Sequence, residues 1–419
     1  MKKMSSDMPL VKVRIGLDDT DHHESGCTTE SMDSLLRKLD LEVNIRIVER
    51  RLVRLWPFAE RRTRGNGALG ALIEVNDSKR GDLLATCSEW FNSLMESISK
   101  FPDSEFEASP CLLISLTDMP EEWYWSSVRE DVECSERMKM VLDNGCTVFT
   151  SGTDWGVVGA SAAVSWSPKP DSSWELVAWR GDSNIGKPRK VKYGTISQLE
   201  ALFPETFMNR DPTKKKGLIA PRTPCPVLYG IRGTSSEAVE EAHIWLQSQP
   251  EVEKCESYAI HITNQLSDDH ISSEMRGTVI SPPIEIKGGH SYASVFSEGR
   301  RQRLVAFSEG GPVNRLLRST RPGDIVSWTG LISPEGDIHL EKLCIVDATP
   351  RISSRPICCS RTMRSAGKGQ LLRCLICGRT QEKLWLTFPP NHERRVITGH
   401  WAEPNPSNRR HLASPLPLH

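Results

Sequence analysis

The sequence predicts an α+β protein of several modules, with mixed helix–strand layers over its first two thirds and a small β-barrel after them. Three observations predict this. The chain has 419 residues, room for two to four domains at about 150 residues each. Up to about residue 250, short apolar or alternating runs of strand length are interleaved with helix-length amphipathic ones. Over residues 274–347, β-rich runs follow one another between glycine turns, with a single short helical run among them.

Residues 12–17 (KVRIGL) alternate polar and apolar and read as a strand. An acidic loop follows, then a helix over 29–39 and a strand over 43–48. Residues 69–75 read as a strand, 83–99 as an amphipathic helix and 111–116 as a short apolar strand. Residues 156–166 (GVVGASAAVSW) carry small side chains that suit a helix packed closely on a sheet. A strand over 175–179, a helix over 197–202, a proline-rich connection over 221–226, a strand over 227–231 and a helix over 236–247 fit a small ferredoxin-like module. In the all-β region, strands over 276–280, 292–296, 302–307, 324–331 and 338–346, with a helix over 313–317 before the fourth, give the order of an oligonucleotide-binding (OB) barrel.

The composition, 38% hydrophobic and 26% charged, is that of a globular protein. No apolar run approaches the roughly 18 residues of a membrane span, and the first ten residues lack the apolar core of a secretory signal. The net charge of −1 hides a gradient. The last 69 residues hold 12 Lys/Arg and 3 Asp/Glu, a charge of +9, and the preceding 350 carry −10. Anion binding by the C-terminal end and a merely solvated tail both fit that gradient. Eight of the twelve cysteines are scattered, while Cys358, Cys359, Cys374 and Cys377 cluster, which reads as reduced thiols plus a metal site.

The strongest local feature is Asp18-Asp19-Thr20-Asp21 at the end of the first strand. Three carboxylates within four residues repel one another, and hard oxygens compensated by a cation suit Mg. A solvated acidic turn is the competing reading. Just beyond it, Gly26-Cys27-Thr28-Thr29 opens a helix. Thr28 or Thr29 suits an N-cap, and the same hydroxyls at a helix N-terminus suit a phosphate. Two other motifs fail on context. Residues 65–70 (GNGALG) spell GxGxxG but precede a strand rather than a helix. Residues 181–187 (GDSNIGK) spell GxxxxGK, but Pro188 stands where the P-loop hydroxyl belongs.

Residues 15–21 (IGLDDTD), 26–29 (GCTT), 63–68 (TRGNGA), 223–233 (TPCPVLYGIRG), 365–370 (SAGKGQ) with Arg373-Cys374, and 409–412 (RRHL) recur in order. Over nearly the whole chain this set resembles the archaeal tRNA(Ile) 2-agmatinylcytidine synthetase family. The resemblance implies a kinase-like α/β catalytic domain (9–155), a ferredoxin-like domain (156–268), an OB-fold (269–350), a zinc ribbon (351–384) and a basic tail (385–419). It implies a cytoplasmic enzyme that uses ATP to ligate agmatine to carbon 2 of the wobble cytidine in a CAU-anticodon isoleucine tRNA, so that AUA is read in place of AUG. Asp18, Asp19 and Asp21 would hold Mg and deprotonate the amine, and Thr28 matches the threonine phosphorylated in the family. Arg62, Arg64, Gly65, Asn66 and Gly67 would clamp the phosphates of ATP. The four cysteines would bind Zn, although Cys358 and Cys359 are adjacent where the family has a C-x-x-C knuckle; adjacent ligands need a strained backbone, and His392 is an alternative fourth ligand. Arg361, Arg364, Lys368 and Arg373 would contact RNA, with Trp385 or Trp401 stacking on bases or simply packing. From the residues alone, a non-catalytic nucleic-acid binder and a Mg-dependent nucleotide phosphohydrolase are the alternatives.

Overall fold

β1 (Leu10–Asp18) alternates as its sequence requires. Val13, Ile15 and Leu17, at most 1% exposed, point to one face and Gly16 to the other. This is a computed structural model that describes residues 9–22, 25–62, 65–350, 352–383, 386–388 and 398–417. The chain divides into two units, Met1–Ser272 with Arg410–Pro415, and Ser273–Arg409 with Leu416–His419.

In the first unit, β1 is followed by α1 (Thr28–Val43), β2 (Arg46–Arg54), β3 (Gly67–Asn76), α2 (Arg80–Ile98), β4 (Cys111–Ser115), α3 (Glu122–Arg129), α4 (Cys134–Asp143), β5 (Thr147–Thr150) and α5 (Gly156–Ser165). Then come β6 (Ser173–Trp179), α6 (Tyr193–Leu202), β7 (Thr206–Phe207), the hairpin β8 (Arg210–Asp211) and β9 (Lys216–Gly217), β10 (Val227–Gly233), α7 (Ser236–Ser248) and β11 (Ser257–Thr263). One nine-stranded sheet, β5-β4-β1-β3-β2-β11-β6-β10-β7, runs through the unit. Its neighbours are antiparallel except β2 and β11, which pair in parallel at Arg51 with Ile262 and Leu52 with Thr263. The two modules expected from the sequence therefore share a sheet. The expected boundary at 155/156 also separates α5 from strands that it covers, since α5 packs on β1, β3 and β4.

On one face, Leu35, Leu36 and Leu39 of α1 and Trp90 and Phe91 of α2 close over Val13, Ile15 and Leu17. Burying each such side chain stabilises the fold by about 1.5–3 kcal/mol. The apolar stripe of α1 continues to Val43, and Asn44 ends the helix in the left-handed region (φ 63°). The next strand consequently starts at Arg46 rather than 43. On the other face α5 lies against backbone: a Cβ at Gly16 would sit 2.3 Å from the Ala160 carbonyl oxygen, and one at Gly70 2.7 Å from that of Ala163. The small-residue run does suit close packing, as its composition predicts. Ser235 caps α7 by accepting from the Ala238 amide at 3.1 Å. The sequence did not announce α3, α4, β5 or β11. These pieces are short, and tertiary packing holds them: Trp123, Tyr124 and Val128 of α3, for instance, are buried.

The second unit contains β12 (Met275–Val279), β13 (Ile284–Glu285), β14 (Ser291–Ser297), β15 (Arg300–Ala306), α8 (Pro312–Ser319), β16 (Ile325–Ile332) and β17 (Ile338–Asp347). β12 pairs with both β14 and β16, β16 with β17, β17 in parallel with β15, and β15 with β14, which closes a five-stranded barrel. Its core holds Val295, Leu304, Val326, Trp328 and Leu343. The order of strands and the helix before the fourth agree with the sequence reading. Of the basic tail, Trp401–Ala402 is a strand paired with Leu343 and Cys344, so Trp401 is half-buried packing on the barrel. No helix among the described residues is long and apolar enough to cross a membrane.

Candidate active site

Asp18 ends β1 on the same face as Gly16, toward α5. A Cβ at Gly159 would lie 1.8 Å from Asp18 Oδ2, so the glycine in the first turn of α5 makes room for this carboxylate. Asp19 follows in the left-handed region (φ 56°), which redirects the chain, and its Oδ2 accepts from the Ser109 amide at 3.2 Å. Burial, with the charge of Asp21 added, pushes Asp18 up to about 7. Burial and the charge of Asp18 push Asp19 up to about 8. Two carboxyls that resist ionisation side by side, and that are not sealed from solvent, fit a hard divalent cation.

Asp21 differs from these two. It is only 7% exposed, and its Oδ1 accepts from the Thr28 hydroxyl at 3.1 Å. The Thr20 hydroxyl, itself 1% exposed, approaches Thr28 Oγ1 at 3.2 Å and Ser31 Oγ at 3.1 Å. The capping expectation for Thr28 or Thr29 is overturned. Cys27 occupies the N-cap position, with no side-chain capping bond, and Thr28 is the first helical residue. The Thr28 hydroxyl is engaged with Asp21, while that of Thr29 accepts from Trp179 Nε1 at 3.0 Å and meets Cys27 Sγ at 2.9 Å.

Asp21 and Thr28 form one wall of a cavity of about 460 Å³ that is also lined by Arg54, Gly65, Gly67, Glu175, Arg222, Arg232 and His411. At its floor, Glu175 of β6 meets Arg54 of β2 at 3.1 Å and Arg232 of β10 at 3.1 Å. Burial alone would raise the Glu175 carboxyl, but Arg232 and Arg54 outweigh it and hold it down to about 2. This cluster sits where β2, β6, β10 and β11 share the continuous sheet. An excess of guanidinium over carboxylate in a partly enclosed cavity suits an anion such as a polyphosphate.

The glycine loop divides its residues differently from the expectation. Gly65 and Gly67 line the large cavity, and the Gly65 carbonyl accepts from Arg54 Nη1 at 3.1 Å. Asn66 is left-handed (φ 41°), and its amide donates to the Trp56 carbonyl at 2.6 Å, so that side chain shapes the loop. Arg62 is exposed, donates to the Ala59 carbonyl and lines a smaller neighbouring cavity of about 170 Å³. Arg64 lies outside the described residues. The arginine brought to the acidic loop is instead Arg61, whose charge acts on Asp19. Its guanidinium lies 5.0 Å from the Trp155 ring centroid and 5.6 Å from that of Phe106.

In the second unit, Cys358, Cys359, Cys374 and Cys377 converge, with one sulfur of each within 4.8 Å of all the others. The adjacent pair is accommodated by two consecutive left-handed residues, Cys359 (φ 48°) and Ser360 (φ 61°), the backbone strain that such spacing demands. Backbone amides of Cys377 and Ile376 pull the Cys374 thiol down to about 7. Four thiols at this spacing fit Zn. His392 and Trp385 lie outside the described residues. Arg361, Arg364, Lys368 and Arg373 are all exposed, and Arg364 and Arg373 stand directly opposite each other across two strands. Like charges so paired cost stability, and a polyanion laid across them would relieve that cost.

Comparison with known proteins gives this geometry a context. Residues 14–153 match the model of the TiaS TCKD domain and 154–270 that of the TiaS FLD domain. The 2-agmatinylcytidine synthetase TiaS of Archaeoglobus fulgidus, named for its isoleucine tRNA, is 30% identical, with 97% of each chain covered. The chain belongs to the TiaS family. Two solved TiaS structures resemble it throughout. A complex of TiaS with isoleucine tRNA and ATP has a TM-score of 0.83 at 29% identity, covering 97% of each chain. A complex with isoleucine tRNA, AMPCPP and agmatine has a TM-score of 0.80 at 27% identity, covering 97% of this chain and 96% of the other. Within this TiaS-family chain, the sequence motifs located Asp18, Asp21, Thr28, Gly65 and Gly67 at one end of the sheet. They did not point to Glu175, Arg54 or Arg61, and although RRHL contains His411 they gave it no role. A charged residue inside the apolar run WELVAW was the signal for Glu175.

Proposed function

We propose that this chain ligates agmatine to carbon 2 of the wobble cytidine of a CAU-anticodon isoleucine tRNA at the expense of ATP. The observation that carries the proposal is full-length kinship with an enzyme of that name, 30% identical over 97% of both chains. The site offers what the chemistry needs. The cytidine carbonyl oxygen is a poor leaving group until it is phosphorylated, after which the amine of agmatine displaces it. Phosphoryl transfer depends on positioning and charge stabilisation more than on covalent help.

In this proposal Asp18 and Asp19 would hold Mg, which would supply positive charge beside the transferring phosphate. Asp21 orients the Thr28 hydroxyl and takes its proton when Thr28 becomes phosphorylated, as the family resemblance implies. Their 3.1 Å contact is within reach for that transfer. Arg54 and Arg232, fixed by Glu175, receive phosphate oxygens. Arg62 and Arg64 would clamp phosphates, as the family resemblance implies. Residues 9–155 serve as the kinase-like domain, 156–268 as the ferredoxin-like domain, 269–350 as the OB-fold and 351–384 as a zinc ribbon. Zn on the four cysteines would fix the strands that carry Arg361, Arg364 and Arg373 and the turn that carries Lys368, which would grip the RNA backbone.

The test is ATP consumption by the purified chain. ATP consumption that requires agmatine and this tRNA together supports the ligase. AMP or ADP release that proceeds equally without tRNA would contradict it.

A further inference from the structure

The C-terminal segment Arg410–Pro415 folds into the first unit, although more than 130 residues of chain separate it from its neighbours there. The Leu266 amide donates to the His411 carbonyl at 3.0 Å, and the Asp268 amide to that of Leu412 at 2.9 Å. The Ser414 amide donates to Asp268 Oδ1 at 2.7 Å, and Leu412 and Ala413 are 3% exposed. The segment is thus stitched as an extra strand-like piece beside the chain that leaves β11. This places His411 on the wall of the large cavity, with its residue surface open to that space, next to Arg54 and Arg232.

The hydrogen-bond donors here leave little freedom. Gln265 is 2% exposed, and its Oε1 accepts from Arg232 Nε at 2.9 Å. Its Nε2 donates to Glu175 Oε2. These two contacts fix which end of the amide is oxygen. His411 Nδ1 stands 3.3 Å from that same Oε1, so the imidazole carries its hydrogen on Nδ1. Burial and the flanking guanidiniums of Arg54 and Arg232 hold the ring down to about 3, so it is neutral. Beside it, Arg54 Nε is buried without a protein partner among the described residues.

We propose that His411 is a positioning residue for phosphate binding: by donating to Gln265, it holds the Gln265–Arg232–Glu175–Arg54 cluster with its guanidiniums facing the cavity. The C-terminal segment thereby becomes a working part of the nucleotide site. This rests on the ATP-dependent reading above.

The test uses the full chain, with Mg-ATP binding measured without tRNA and steady-state ligation measured with it. His411→Ala should weaken ATP binding and raise its KM about tenfold, as expected for a lost hydrogen bond to a charged network. The agmatine KM, and kcat at saturating ATP, should stay within about threefold by the same reasoning. His411→Asn places an amide N–H where Nδ1 stood and should restore ATP affinity. A wild-type-like ATP KM in His411→Ala with an unchanged melting temperature would overturn the proposal. So would equal losses in both KM values and kcat, or failure of His411→Asn to restore binding. If the wild-type chain ligates but His411→Ala binds ATP normally, this inference alone fails. If the wild-type chain neither binds ATP nor ligates, the functional reading fails as well.

Discussion

Two candidate metal centres among the described residues, the acidic loop and the four-cysteine cluster, are built in opposite ways. The acidic loop hangs from a nine-stranded sheet, where Leu17 and Leu69 are fully buried and Gly159 leaves space cut to fit one carboxylate. The four-cysteine cluster rests on a core of only Met363, Leu372 and Cys374. If the acidic loop takes Mg, its oxygens stand on a frame that folds without the cation. If the cysteines take Zn, their small scaffold would draw on the metal for its structure. Under the proposed function, chemistry would belong to the first region and the holding of RNA to the second, and mutations should separate the two.

The largest effect is expected at the rigid centre. Asp18→Asn should reduce ligation at least about a thousandfold, since it removes an anionic ligand of the Mg that would counter charge on the transferring phosphate. The melting temperature should not fall, because a reluctant buried charge is also removed, and tRNA affinity should match wild type in filter binding. Retained ligation would break the assignment of Mg to this loop.

Next in size is Cys374→Ser. Zinc content should fall from one to zero per chain by elemental analysis, and tRNA affinity should drop at least about tenfold, with ATP binding unchanged. Loss of ATP binding in this variant would mean that the two regions are not independent. Smaller again, Arg364→Gln or Arg373→Gln should each weaken tRNA binding severalfold and lower the salt dependence by about one counterion. Because like charges face each other there, either change should leave stability equal or slightly higher.

The acidic pair also predicts a pH dependence with a definite sign. Asp18 and Asp19 sit near 7 and 8 in the folded chain, against about 4 when unfolded. The folded state therefore binds more protons between about pH 4 and pH 8, and without Mg its stability declines as pH rises through that window. Mg should cancel the decline, and its apparent affinity should climb from about pH 6 to about pH 8.5 as its ligands shed protons. Melting curves with and without Mg across that range check both statements. A flat Mg affinity would show that these carboxyls are not its ligands. A modest loss of stability is expected from Thr28→Ala. Thr28 does not cap the helix, so the loss should be about 1 kcal/mol from the hydrogen bond to Asp21. The loss of turnover should be far larger.

How much of this was legible in the sequence follows from the same contrast. Features encoded locally could be read. The alternation of β1, the five barrel strands, the packing of α5 through small residues and the carboxylates at a strand end all lie in short contiguous runs. Features made by long-range closure could not. β11 looks unremarkable as SYAIHIT, yet its parallel pairing with β2 joins what composition divides into two modules. Arg54, Glu175, Arg232 and His411 come from four distant stretches, and each is an ordinary charged or polar residue until the sheet brings them together. The motifs containing Arg232 and His411 were visible, but their purpose was not. That Arg61 is an arginine whose charge acts on Asp19 was illegible for a related reason: which neighbour faces the acidic loop depends on how the chain turns at Phe58 to Glu60 and not on residue type.

The decisive experiment is mass analysis of the wobble nucleoside after the full chain is incubated with ATP, agmatine and CAU-anticodon isoleucine tRNA, with Asp18→Asn alongside. The expected result is cytidine heavier by agmatine less one water with the wild-type chain, and unmodified cytidine with Asp18→Asn despite equal tRNA binding. Unmodified cytidine with the wild-type chain, or the same product from both, would contradict the assignment of ligation to this site.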